Sequence, residues 1–337
     1  MSRHPRLLLV TPAFHGYHRS IGRALERRGY EVVTHSYDAF ETLRDKVRNK
    51  VAVELPRRLG ADSHAHAAAW ATHRALTALR FTRPDRLIVV KGDTLGNAFW
   101  DEVIRQKLPR ILWLYDDLTR HRYTHEFLRE IGPVVSYARS EAEHLVGCGI
   151  NATFVPNAFD PDLAEPSARR TGEIVFVGAR YANRVALLTR LRQAGLPVRA
   201  YGRQWSHHPL DRLRTWEIGR PDVPAERDIP LPTAYAIQGE AAAAINIHGL
   251  QAGLSMRSFE VPGMGGLQLV DRADVAEFYD IGTETLVFAS EEHLVELAGR
   301  AQRDHLWSER IRAAGRRRSL AEHTFAHRVG HVDGLWA

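Results

Sequence analysis

The stretch AAAAINIHGLQAGLSMRSFEVPGMGGLQLVD, residues 241–271, decides how the rest of the chain is read. Its apolar run Ala241–Ile247 predicts a buried strand. The run breaks at Gly249 and Gly253, a helix opens near Ser255, and Gly265-Gly266 returns the chain to a second strand, Leu267–Val270. Ser255 is expected to cap that helix, because its hydroxyl can accept from a first-turn N–H. The remaining N–H groups and the positive helix end then favour an anion. Gly253 lets the backbone approach a ligand closely, and Arg257 adds a fixed cation suited to phosphate. Glu260, about a turn and a half along the helix, suits two hydroxyl donors such as a ribose diol. The plainer reading of the same residues is a helix–strand connection carrying a surface carboxylate.

Outward from this stretch, strand and helix patterns alternate along the chain. In the first half, strands are expected at Arg6–Val10, Glu31–Ser36, Asp85–Asp93, Pro109–Asp117, Pro133–Ala138 and Ala152–Pro156. Helices are expected at Arg19–Arg28, over residues 39–55 and from His64 to Arg80. The polar, aperiodic segment Asn157–Thr171 reads as a linker, after which the alternation restarts at Glu173–Arg184. Its strand ends at Gly178, with Arg180 and Arg184 at the mouth of the next helix. A strand and loop follow at Pro197–Trp205, then an irregular loop over Arg214–Pro232. Beyond the opening stretch come the strand Thr285–Ala289 and helices Glu291–Arg303 and Ser308–Ala321. The pattern predicts an α/β chain with two doubly wound, Rossmann-like domains, 1–160 and 172–320, facing a cleft. In such sheets ligands sit beyond the carboxyl ends of strands, which here carry Thr11–His18, Lys91–Asp93, Tyr115–Asp117 and Ser136–Arg139.

Composition bounds the function. The 337 residues carry a net charge of +6, and Lys46, Lys50, Lys91 and Lys107 are the only lysines among 46 basic residues. A basic chain favours anionic partners such as phosphates. Cys148 is the single cysteine, which excludes an intrachain disulfide and argues against a cysteine-based structural metal site. No apolar run approaches the ~18 residues of a membrane span, and the N-terminus lacks a signal-peptide pattern, so a cytoplasmic location is expected. Residues 39–55 place Phe40, Leu43, Val47 and Val51 on one stripe of a basic amphipathic helix. Peripheral membrane contact is thereby open, although a packed helix with a solvated face is favoured.

Five stretches then carry a family resemblance. FVGARYANR, YGRQW, NIHGLQAGLSMRSFEVPGMGGLQLVD, TLVFA with EEHLVELA, and AGRRRSLAEHTFAHRV resemble, in that order, the C-terminal half of CgeB-like glycosyltransferases. The resemblance covers about Glu173 to Val329, and VVKGD, ILWLYDD and VPNAFDP extend it more loosely into the first half. It implies the glycosyltransferase-B fold, a nucleotide-sugar donor held by the C-terminal domain and an acceptor approached from the N-terminal one. The acceptor is a small molecule, a lipid or a polymer. The tail, 321–337, is expected to cross back to the first domain. By the same resemblance Glu260 holds the donor ribose and Gly253, Ser255 and Arg257 belong to the diphosphate loop. Arg180 and Arg184, just beyond Gly178, meet the phosphates. Many relatives carry a second glutamate eight positions before the ribose-binding one, where this chain has Ala252, so the sugar is left open. No metal or other cofactor is expected, because arginines and helix N-termini can take the donor's charge. His15, in the first βα loop, is the expected base, with Asp93, Asp116 and Asp117 as competitors at neighbouring strand ends.

Other constellations are weaker. His121 with His125 and His323 with His327 have i,i+4 spacing, but neither is an HExxH motif and the chain has 18 histidines. No G-x-S-x-G elbow is present, and VTPAFHGYHRSIG is not a dinucleotide loop. The arginine clusters Arg27-Arg28, Arg57-Arg58 and Arg316–Arg318 are dispersed, so nucleic acid is not an expected partner. The alternatives to a transferase are a catalytically silent nucleotide-binding relative, a nucleotide-sugar epimerase and a basic nucleic-acid binder.

Overall fold

A computed structural model describes residues 4–38, 64–217 and 219–336. The chain divides into two compact units. The first comprises Met1–Pro156 with Phe325–Ala337, and the second Asn157–Thr324. Each contains a six-stranded sheet whose strands pair in parallel.

In the first unit the strands are β1 (Arg6–Thr11), β2 (Glu31–Ser36), β3 (Arg86–Val90), β4 (Arg110–Trp113), β5 (Val134–Ser136) and β6 (Ala152–Phe154). Their order is β2-β1-β3-β4-β5-β6. Continuous apolar runs such as Leu7–Val10 and Leu87–Val90 are buried because helices cover both faces of a parallel sheet. The direction of winding reverses between β1 and β3, so the loops leaving those two strands open a crevice at the carboxyl edge.

The second unit contains β7 (Ile174–Val177), β8 (Val198–Tyr201), β9 (Ala225–Glu226), β10 (Ala243–Asn246), β11 (Gln268–Val270) and β12 (Leu286–Val287). They lie in the order β12-β11-β10-β7-β8-β9, the 3-2-1-4-5-6 arrangement of a dinucleotide-type sheet, with its reversal between β7 and β10. Helix His305–Glu322 is fixed by Arg312, which is buried and donates to the carbonyls of Gly239, Gly265, Ala241 and Ala242. Desolvation depresses its pKa to about 10, and the guanidinium stays charged at neutral pH.

The expected linker, Asn157–Thr171, belongs to the second unit, where Phe159 is buried and forms an isolated bridge with Thr324. The expected tail divides at Thr324. Helix Phe325–Asp333 lies in the first unit, where Asp333 accepts from Arg28 and from Tyr30 Oη, and Arg328 Nε donates to Pro156 O at 2.9 Å. Several short helices went unforeseen, among them Asn97–Arg105, Arg139–Gly147, Pro209–Thr215, Leu231–Glu240 and Phe325–Asp333, because each is too short to show a sustained apolar stripe, and strand Ala225–Glu226 interrupts the irregular loop expected over Arg214–Pro232. The amphipathic segment 39–55 and Arg57-Arg58 lie outside the described residues. Among the described residues no helix is long and apolar enough to cross a membrane.

His35 in β2 gives this unit a pH-dependent term. Burial and then nearby Arg74 lower its pKa to about 4, and Nε2 has no hydrogen-bond partner among the described residues. A depressed histidine pKa means that the unfolded chain binds the proton first. Stability is therefore lost as pH falls from about 6.5 towards the folded value. His35→Gln removes that term, so the midpoint of thermal unfolding should fall less between pH 7 and pH 5 in the variant than in the parent. Equal slopes would show that His35 does not sense the fold.

Candidate functional site

The reversal between β7 and β10 brings together two loops that the sequence separates by some seventy residues. After β7 the chain turns at Gly178 and enters helix Ala182–Gln193. After β10 it runs through residues 247–256 into helix Arg257–Gly263. A Cβ at Gly178 would lie 3.1 Å from Arg257 Nη2, so glycine is what lets the two loops approach. Gly202, after β8, is equally constrained. A Cβ there would meet Gly178 O at 2.7 Å, and Trp205 Nε1 donates to that same carbonyl at 2.9 Å.

The β10 loop is tied from its own ends. Asp271, just after β11, accepts from the His248 backbone N–H at 2.9 Å and from Nδ1 at 2.7 Å. Because His248 Nε2 accepts from Ser255 N–H at 3.1 Å, the ring proton sits on Nδ1 and the imidazole links both ends of the loop. Arg272 donates to Gln251 O and Ala252 O, Gln251 Nε2 to Gly253 O, and Asn157 Nδ2 to Leu254 O. The carbonyls are thus drawn away by side chains. Among the described residues nothing accepts from the N–H groups of Gly249, Leu250, Gln251, Gly253 or Leu254. The loop thus combines engaged carbonyls at residues 251–254 with uncommitted amides.

The three arginines at this edge differ in commitment. Arg184 is buried and donates through Nε and Nη2 to Ile247 O and through Nη1 to Ala179 O, while stacking on Tyr181. Burial and then the charge of Arg257 depress its pKa to about 10. Three of its five N–H donors hold the ends of β7 and β10, a positioning role that the sequence did not suggest. Arg180 is paired with Glu217. Arg257 is half-buried and has no hydrogen bond or ion pair among the described residues. It is the uncommitted cation of the three.

Ser255 departs from expectation. Its Oγ donates to Asn246 Oδ1 at 3.0 Å, and the residue preceding the helix is Met256, which makes no side-chain cap. Asn246 also donates to Ser258 Oγ and Gln268 Oε1, and Gln268 reaches Thr285, so a buried polar chain runs beneath the loop. Glu260 sits in the first helical turn, where the positive helix end favours a carboxylate, and is buried. Ala252 is exposed.

In the first unit the crevice carries the other candidates. His15 is exposed, with left-handed backbone (φ 46°). Lys91 and Tyr115 also leave their strands with left-handed backbone, at φ 63° and 61°, which turns both loops at the carboxyl edge. Lys91 Nζ pairs with Asp116 at 3.1 Å, and Asp117 is buried and accepts from Tyr137 Oη at 2.5 Å. His121 was read from sequence only as a metal ligand. Its buried ring lies 3.8 Å from Asp93, neither nitrogen meets hydrogen-bond geometry with a partner among the described residues, and desolvation lowers its pKa against the opposing pull of Asp93. No spacing signal separates it from the other histidines.

Residues 180–333 match the family model described as "Glycosyl transferase-like". No curated protein matches the chain. Among solved structures, sucrose-phosphate synthase from Thermosynechococcus elongatus superposes with a TM-score of 0.67 at 14% identity, covering 98% of each chain. HepE of Anabaena, solved in complex with UDP and glucose, gives 0.61 at 10% identity over 98% of this chain and 99% of its own. A proposed UDP-N-acetylglucosamine 2-epimerase from Listeria monocytogenes gives 0.61 at 11% identity over 98% and 95%. The chain therefore has the glycosyltransferase-B fold.

Two substitutions test the architecture of the loop. Asp271→Ala should raise amide hydrogen exchange across residues 248–256 while β7 and β8 keep their protection. Unchanged exchange there would mean the His248–Asp271 pair does not hold the loop. Arg184→Ala leaves the Ile247 and Ala179 carbonyls without their donor, at about 1–3 kcal/mol for each carbonyl left buried. Denaturant unfolding should show that loss, and an undiminished midpoint would deny the positioning role.

Proposed function

We propose that the chain is a glycosyltransferase that moves a sugar from a nucleoside-diphosphate sugar to an acceptor hydroxyl. The observation that carries this reading is the β7–β10 reversal, where Arg257, lacking an ionic partner among the described residues, stands beside a loop whose carbonyls are engaged and whose amides are not. A diphosphate satisfies both features at once. As the glycosidic bond breaks, charge grows on the leaving diphosphate, and donors already aimed at it stabilise the transition state more than the ground state. In this reading no metal is needed. The glycosyltransferase family match over residues 180–333 and the binding of UDP by HepE support it.

Arg184 and His248 position the loop, Arg257 takes the phosphate charge and Glu260 accepts from the ribose diol. Arg180 reaches the phosphates only by exchanging Glu217 for them. In the first unit His15, Asp93 and Asp116 are the candidates for drawing the proton from the acceptor hydroxyl, and His121 joins them because its buried ring lies 3.8 Å from Asp93. Neutral imidazole suits that task near pH 7.

A panel of nucleotide sugars, followed by release of nucleoside diphosphate, tests the reading. Transfer or slow hydrolysis of one donor is expected. Interconversion of donor sugars with no diphosphate released would make the chain an epimerase. Glu260→Gln keeps the side-chain volume and removes the charge. Hydrogen bonds to a charged group are worth about 1.5–3 kcal/mol, or roughly ten- to a hundredfold in affinity. The parent should prefer the ribose form of its donor over the 2′-deoxy form, and the variant should lose most of that preference. An intact preference would remove Glu260 from the ribose site.

A further inference from the structure

The only cysteine of the chain lies close to two histidines in the first unit. His144 and Cys148 are four residues apart, on the last turn and C-cap of helix Arg139–Gly147, so they share one face. His125 opens helix His125–Ile131, whose start is fixed by the Thr124 side chain accepting from Phe127 N–H. The ring centroids of His125 and His144 are 5.9 Å apart, and Cys148 Sγ is 3.8 Å from His144 Nε2. One ligand atom from each of the three lies within 4.8 Å of the others. Among the described residues these rings and this thiol make no side-chain hydrogen bond apart from that sulfur–nitrogen contact.

From these observations we propose that His125, His144 and Cys148 form a Zn2+ site with a fourth position for water. Zn–N and Zn–S bonds of about 2.0 and 2.3 Å put tetrahedral ligand atoms roughly 3.5 Å apart. The observed spread closes to that distance through side-chain rotation alone, because His125 and Cys148 are half-buried and His144 is exposed. Two imidazoles and a thiolate select a borderline-soft ion and discriminate against Mg2+ and Ca2+, which take oxygen. Binding releases the thiol proton, so affinity rises with pH. The ion would join two helices that bracket β5. Helix Arg139–Gly147 also carries Glu141, which accepts from Ser136 Oγ and from Leu118 N–H, beside Asp117. The site is separate from the proposed donor loop and is not asked to take part in transfer.

The test uses the full chain, stripped with a chelator and titrated with Co2+ as a spectroscopic stand-in for Zn2+. The expected result is one equivalent of Co2+ with tetrahedral d–d bands and a thiolate charge-transfer band, displaced by Zn2+. Cys148→Ser should abolish the charge-transfer band. His125→Ala and His144→Ala should each weaken binding at least tenfold, since even loss of a residue that only orients a ligand costs about 10–100-fold. Zn2+ should also slow alkylation of Cys148 in the parent, a readout that needs no activity. Co2+ binding that lacks the charge-transfer band, or that survives in Cys148→Ser, would mean adventitious binding by surface histidines and would overturn the proposal. So would rapid alkylation at saturating Zn2+.

Discussion

The Asp271 carboxylate, accepting from both the backbone and the ring of His248, is the constraint on which the site depends. It fixes the ring tautomer, and the free ring nitrogen then takes the Ser255 N–H. A loop of eight residues, His248–Ser255, thereby acquires closed ends without any regular secondary structure. Its interior carbonyls are drawn off by Arg272, Gln251 and Asn157. What is left is a set of N–H groups without acceptors among the described residues, beside the unpaired Arg257. Preorganisation of this kind spares the reorganisation that would otherwise oppose charge stabilisation.

The arginine-rich composition has a partial explanation in the same terms. Arg184 and Arg312 are buried, and each satisfies carbonyls where strands or helices end. Arg328, also buried, serves the carbonyl of Pro156. A guanidinium offers five donors in a rigid fork and remains charged when desolvated, which an ammonium on a flexible stem does not match. These residues read from sequence as basic charge for anionic partners. In the folded chain they act as internal ties.

Much of the fold was legible because parallel sheets need continuous apolar strands and regular crossovers. Helix Glu291–Arg303 and strand Glu31–Ser36 have the limits expected from their patterns. The placement of Gly178, Arg257 and the β10 loop at one edge follows from strand order, which the resemblance implied and hydrophobic periodicity alone does not reveal. Polar pairing was illegible. Nothing in the spacing of Asp271, His248 and Ser255 announces a network, because its geometry is set by neighbouring strands and not by a motif. For the same reason Ser255 was misread as a cap, and the tie from Arg184 to the Ile247 carbonyl went unread. His125, His144 and Cys148 meet through the packing of two helices, so i,i+4 spacing relates only two of the three.

The central claim is that Arg257 and the amides of the β10 loop form a diphosphate site. Calorimetric titration of the parent and Arg257→Ala with the preferred nucleoside diphosphate and the corresponding nucleoside tests it directly. Loss of a charge-assisted contact worth about 1.5–3 kcal/mol predicts roughly ten- to a hundredfold weaker binding of the diphosphate, with nucleoside affinity nearly unchanged. Equal losses for the two ligands, or none for either, would contradict it.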